Sequence, residues 1–255
     1  MQIKGNQFSA AHPIICVPVV EKTKEGILAA VGSMVQKQAA MIEWRMDWFE
    51  EIAQRERVLE LLREIQPLVR ETILLCTYRT GREGGEGTFD PSEYFELNRL
   101  VCESGTADLI DLEYELCREA GTDASHIIRE FQQTGTGVIC SKHDFQKTPS
   151  VEEMEQMLCE MADSGAEFAK LAVMPREKAD VLHLMEAVLR TREGRPSSHL
   201  IAMSMDRAGM ISRILGGWFG SEVTFASFGA ASAPGQLHYE QAQKLLEELD
   251  GMIRN

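Results

Sequence analysis

Glu167-Phe168-Ala169-Lys170-Leu171-Ala172-Val173 is apolar almost throughout and carries one lysine near its centre. A short apolar run of this kind predicts a buried β-strand. Successive side chains of a strand alternate between its faces, so Phe168, Lys170 and Ala172 point the same way. In a parallel sheet covered on both sides, that shared direction leads into a core or a cavity. A lysine buried there is costly to keep charged, and its neutral amine is the nucleophile that imine-forming enzymes use. The competing reading is a lysine at a strand end whose aliphatic stem carries the ammonium out to water.

The chain around this stretch repeats one pattern. Strand-like runs fall at 14–20, 41–45, 72–79, 108–112, 137–143, 167–173, 200–204 and 223–227. Helical periodicity fills the gaps, at 26–36, 58–65, 124–132, 179–189, 210–218 and 239–253. Two further helices announce their starts. Asp90-Pro91-Ser92-Glu93 supplies a cap, a proline at the first helical position and an acid at the third. Ser150 with Glu153 forms a capping box. Eight strands alternating with eight helices predict an α/β protein, a single (β/α)8 TIM barrel over 1–255. The short N-terminal segment is expected to close the bottom of the barrel. A doubly wound open sheet is the competing architecture, but Gly81-x-x-Gly84-Gly85-x-Gly87 does not fit the dinucleotide fingerprint.

Length and charge narrow the function. The 255 residues match one barrel, and a net charge of −14 argues against nucleic acid and anionic membranes as partners. The six cysteines show no CxxC and no metal spacing with histidine, which reads as buried reduced thiols in a cytoplasmic protein. No apolar run has the length of a signal peptide's core or of a membrane span, so a soluble protein is expected.

In a barrel, function sits at the C-terminal ends of the strands. Those ends carry Glu43 and Arg45, Arg79, Glu113, His143, Lys170, Met203 and Met205, and Phe225, with Arg213 expected at the start of the helix after the seventh strand. Each has a plain structural alternative, such as an ion pair between Glu43 and Arg45 or a core histidine at 143. Their convergence on one rim is what points to a site. A lysine can form an imine with a ketone, a histidine can move the proton beside it, and arginines can bind a carboxylate. Glu83 is positioned to orient or charge-tune the imidazole. The residues alone predict an imine-forming lyase or aldolase acting on a keto acid.

The chain also resembles the type I 3-dehydroquinate dehydratases over essentially its whole length. The resemblance rests on Glu43-Trp44-Arg45-Met46-Asp47, Tyr78-Arg79-Thr80 with Glu83-Gly84-Gly85, and His143-Asp144-Phe145. It continues through Lys170, Met203-Ser204-Met205, Ser212-Arg213 and Ser232-Ala233-Pro234-Gly235-Gln236. It implies conversion of 3-dehydroquinate to 3-dehydroshikimate, in the shikimate pathway or in quinate breakdown, with no metal or cofactor and a homodimeric assembly. Lys170 would form the imine, His143 would move the protons, and Glu83 would position His143. Arg213 and Gln236 would hold the carboxylate end, and Glu43, Arg45 and Arg79 the ring hydroxyls or the carboxylate. Ser232 and Gln236 would sit on a lid that excludes water, with Met203, Met205, Phe145 and Phe225 as apolar walls.

Two positions depart from the family pattern. Lys142 stands where an aromatic residue is frequent; strand alternation turns it away from His143, so no contact with the chemistry is expected. Asp206 stands where a small residue is often found and would weaken carboxylate binding if it pointed inward.

Overall fold

The computed structural model describes residues 1–119, 124–229 and 233–253. Eight parallel strands follow one another: β1 (Ile14–Val19), β2 (Met41–Arg45), β3 (Ile73–Thr77), β4 (Leu109–Glu113), β5 (Gly137–Asp144), β6 (Phe168–Val173), β7 (His199–Ser204) and β8 (Val223–Ser227). Each pairs in parallel with the next from β1 to β7, and β8 pairs with β1. The circle closes between β7 and β8 through a single Leu200–Ser221 bridge. There the Glu222 amide donates to the Leu200 carbonyl at 2.8 Å and the Ala202 amide to Ser221 Oγ at 3.0 Å. The expected barrel is therefore what the chain forms, and its strand starts and ends fall within a few residues of those read from the sequence.

Inside the barrel the layers change character. The N-terminal end is apolar, with Ile14, Cys16, Met41, Ile73, Leu75, Leu109, Ile139, Phe168 and Val223 in one cluster. Phe8 joins that cluster and meets the Phe168 ring edge-on, centroids 4.8 Å apart, so the N-terminal segment does plug the bottom. A hairpin of Gln2–Ile3 with Asn6–Gln7 precedes the plug, and Lys4 fastens it by donating to the carbonyls of Val69 and Thr72. Toward the C-terminal end the inward positions turn polar: Glu43, Thr77, Asp111, Glu113, Ser141 and Lys170 are all buried there. Lys170 lies in register with Ser141 on one side and Ile201 on the other.

The outer faces of the strands bury against α1 (Lys24–Gln36), α2 (Arg55–Ile65), α3 (Pro91–Glu103), α4 (Tyr114–Glu119), α5 (Ala124–Gln132), α6 (Val151–Asp163), α7 (Lys178–Gly194), α8 (Asp206–Phe219) and α9 (Tyr239–Ile253). Both helix starts read from the sequence form, and both are capping boxes: Asp90 accepts from the Glu93 amide and Ser150 from the Glu153 amide, each worth about 1 kcal/mol. Two details differ from expectation. A short helix, α4, follows β4 before α5; six residues are too few to show a helical period in sequence. And α8 begins at Asp206 rather than near residue 210, so Arg213 lies two turns inside the helix. All six cysteines are free thiols, five of them buried. Among the described residues no helix is long and apolar enough to cross a membrane.

Candidate active site

Lys170 is 3% exposed and anchored on two sides. Its Nζ donates to Asp111 Oδ2 at 3.1 Å and stands 4.6 Å from the centroid of the Phe225 ring, a cation–π contact. This settles the competing sequence readings: the stem does not run out to water. It also corrects one expectation, since the lysine is not an isolated amine stripped of partners. The partner is Asp111, which sequence reasoning did not single out. Leu109-Ile110-Asp111-Leu112-Glu113 did carry a signal, because strand alternation puts Asp111 and Glu113 on the same inward face as Leu109.

Asp111 belongs to a buried network centred on Arg79. Arg79 donates to Asp111 at 2.6 Å, Glu113 at 3.0 Å and Ser141 Oγ at 3.2 Å, and Ser141 in turn donates to Asp111 at 2.6 Å. Thr80 adds its amide and hydroxyl to Glu113. Two cations, Arg79 and Lys170, thus face two anions, Asp111 and Glu113, and pairing offsets the cost of burying four charges. Burial pushes the Asp111 carboxyl up, but Arg79 and Lys170 outweigh it and hold the group below its ordinary value.

Above this network sits a carboxylate–imidazole pair. Glu83 Oε2 accepts the His143 amide at 2.9 Å and lies 2.9 Å from His143 Nδ1. The loop after β3 brings Glu83 there: the Gly85 amide donates to the Thr80 carbonyl and the Gly87 amide to the Arg79 carbonyl. Gly84 takes φ +78°, and a Cβ there would strike the Phe145 ring at 2.4 Å; at Gly85 it would lie 2.0 Å from the Arg79 carbonyl oxygen. Burial, with Glu113 and Asp111 nearby, pushes the Glu83 carboxyl up to about 8, while Arg79, Lys142 and the two N–H groups on Oε2 pull toward the carboxylate form. Burial and the positive charges of Arg79, Lys170, Arg45 and Lys142 hold His143 well below its ordinary pKa of 6.5. The imidazole is therefore neutral at pH 7, with Nδ1 committed to Glu83 and Nε2 as the nitrogen that can exchange a proton.

Lys142 overturns a second expectation. It does leave β5 on the face opposite His143, yet its ammonium reaches Glu83 Oε1 at 3.8 Å and Glu115 at 3.5 Å. Alternation separates faces only within the strand. Here β5 is ending, and the Glu83 loop folds over its tip and meets both faces.

The remaining rim residues fall into two groups. Arg45 makes a bidentate pair with Asp47 at 2.8 and 2.7 Å, and Glu43 accepts from Thr77 Oγ1 at 2.9 Å, so each of the two has another partner. Arg213 is different. It is 3% exposed, and among the described residues its guanidinium meets Met203 Sδ at 3.5 Å and the Pro234 carbonyl at 3.2 Å, while Nε has no hydrogen-bond partner there. Burial without a facing carboxylate pushes its pKa down to about 10. Such a cation is charged at pH 7 and disposed to take an anion from a ligand. Asp206 does not compete for it: the Asp206 residue is exposed, and its amide donates to the Pro234 carbonyl at 3.2 Å.

One pocket, open to solvent, gathers these groups. Glu43, Arg45, Arg79, Glu83, His143, Lys170, Met203, Arg213, Phe225 and Gln236 all line it. Ser232 lies outside the described residues. Among the described residues, no cluster of three or more His, Cys, Asp or Glu side chains could hold a metal ion.

A parallel barrel whose C-terminal rim joins a buried lysine, a carboxylate–imidazole pair and an unmatched arginine is built as a barrel enzyme for acid–base chemistry on a small anionic substrate. The chain belongs to the type I 3-dehydroquinase family, whose model matches residues 15–252. It is 38% identical over 247 residues to a 3-dehydroquinate dehydratase of Klebsiella pneumoniae, covering 97% of each chain. Its fold superposes on the crystal structure of type I 3-dehydroquinate dehydratase from Clostridium difficile with a TM-score of 0.93 at 34% identity, covering 99% of this chain and 98% of that one. The Geobacillus kaustophilus 3-dehydroquinate dehydratase gives the same TM-score at 32% identity, covering 98% and 96% of the two chains.

Proposed function

We propose that the chain is a hydro-lyase that converts 3-dehydroquinate to 3-dehydroshikimate and water through an imine on Lys170. Lys170 Nζ gives up one proton, adds to the ring ketone through the freed electron pair, and the carbinolamine hydroxyl takes up that proton and leaves as water. The resulting iminium is an electron sink that acidifies the neighbouring carbon. His143 Nε2 takes that proton, and the electron pair moves toward nitrogen as an enamine. The enamine returns the pair and expels the hydroxyl, which leaves as water with the proton carried by His143. A second water then hydrolyses the imine, restoring the ketone and the amine, so that one water is lost overall. Glu83 holds Nδ1 and keeps Nε2 turned to the substrate. Arg213 and Gln236 take the carboxylate, and Glu43, Arg45 and Arg79 face the hydroxyls. Met203 and Phe225 wall the ring, and Ser232 contributes from the lid.

The observation that carries this reading is the shared pocket of Lys170, the Glu83–His143 pair and Arg213, whose guanidinium lacks an acidic partner among the described residues. The C. difficile relative crystallised with covalently modified comenic acid lends support to covalent chemistry in this family. The test is mass spectrometry after borohydride reduction in the presence of 3-dehydroquinate. A reduced adduct on the Lys170 peptide is expected; an active enzyme with no adduct there refutes the imine.

A further inference from the structure

Glu83 uses its two carboxylate oxygens unequally. Oε2 carries both contacts to His143 and accepts from Arg79 at 3.5 Å, whereas Oε1 is buried and takes no hydrogen bond from any described residue. The Lys142 ammonium stands 3.8 Å from that second oxygen; it arrives from behind β5 and is itself steadied by Glu115 at 3.5 Å. Lys142 is 22% exposed at its side chain and Glu83 5%, so a partly hydrated cation sits against a nearly dry carboxyl group.

We propose that Lys142 is a positioning residue for the Glu83–His143 pair, fixing the Glu83 carboxylate through Oε1 so that Oε2 stays an acceptor for His143 Nδ1–H and Nε2 stays free to act as the base. This rests on the dehydratase reading for its kinetic consequences, but not for its geometry. Other charges face the same pair. Arg79 and Arg45 act from the ends of β3 and β2, Lys170 from β6, and Asp111 and Glu113 from β4, while Glu115 on α4 shares the charge of Lys142. The arginines, Lys170, Asp111 and Glu113 are deeply buried and tied to one another, to Glu83 or to Asp47; Lys142 is the partly exposed member, and its contribution is the one that salt can screen.

The experiment compares wild type with Lys142→Met, which keeps the stem and removes the charge, and with Lys142→Arg, which restores it. Two readouts are taken: kcat and KM for 3-dehydroquinate against pH, and the His143 ring titration by NMR in the substrate-free enzyme, assigned by its loss in His143→Ala. In Lys142→Met the acid limb of kcat and the His143 midpoint both move up by about one pH unit, with KM little changed. Lys142→Arg returns both toward wild type. Raising salt moves the wild-type midpoint up and leaves that of Lys142→Met in place. Coincident midpoints in wild type and Lys142→Met overturn the proposal, and Lys142→Gln repeats the test should the methionine variant fold poorly. A wild-type enzyme that does not turn over 3-dehydroquinate would defeat the functional reading alone, because the NMR titration needs no substrate.

Discussion

Asp111 Oδ2 lies 3.1 Å from Lys170 Nζ, and the same carboxylate takes Arg79 and Ser141 at 2.6 Å each on its other oxygen. One carboxylate therefore matches two buried cations at the centre of the barrel. Asp111→Ala leaves both without their shared counter-charge and is expected to cost about 3–5 kcal/mol. For a chain of this size that lowers Tm by roughly 10 °C or more, readable by thermal denaturation. A loss below about 1 kcal/mol would mean that Glu113 and solvent replace Asp111 freely.

His143 sits among four positive charges and is held well below its ordinary 6.5. A depressed base is neutral above its pKa and lost below it. The acid limb of kcat/KM should therefore fall below pH 6.5, with full activity at pH 7. His143→Ala should lower kcat about 10²–10⁴-fold, yet still yield the borohydride-reducible adduct on Lys170. Normal turnover in that variant would remove His143 from the mechanism.

Arg213 is a buried cation with no carboxylate beside it in the described chain. Its folded-state pKa is lowered to about 10, so the charge costs stability at every pH below that value. Arg213→Met should raise KM by roughly 10- to 100-fold through loss of a charged hydrogen-bonded pair to the substrate. Its Tm should be no lower than wild type. A KM that does not move would assign the carboxylate elsewhere.

Asp206 adopts φ +55° and touches the Pro234–Gly235 segment through main-chain atoms: a Cβ on Gly235 would stand 2.1 Å from its carbonyl oxygen. Its carboxylate adds nothing to the pocket. Asp206→Asn is expected to change KM less than about twofold, since an exposed charge is screened by solvent. Gly235→Ala forces that contact apart and should impair activity sharply. Steady-state kinetics on the two variants separate charge from backbone fit.

The amino-acid sequence by itself determined the eight strand–helix units, the capped helix starts at Asp90 and Ser150, and the inward direction of Lys170, His143 and Glu113. These follow from rules that act over a few residues: alternation in strands, the helical period and cap chemistry. The barrel then put the strand ends on one rim, which is why the candidate pocket was legible before any coordinates. Only the tertiary structure decided who pairs with whom. Asp111 and Lys170 are 59 positions apart and Glu83 and His143 are 60 apart, and no local pattern encodes such a contact. Arg45 chose Asp47 over Glu43, and Lys142 reached Glu83 from the wrong face because a loop folded across the end of its strand. Charge partners in a buried site are set by which elements converge and how much water they exclude, and those are properties of the closed barrel rather than of any stretch within it.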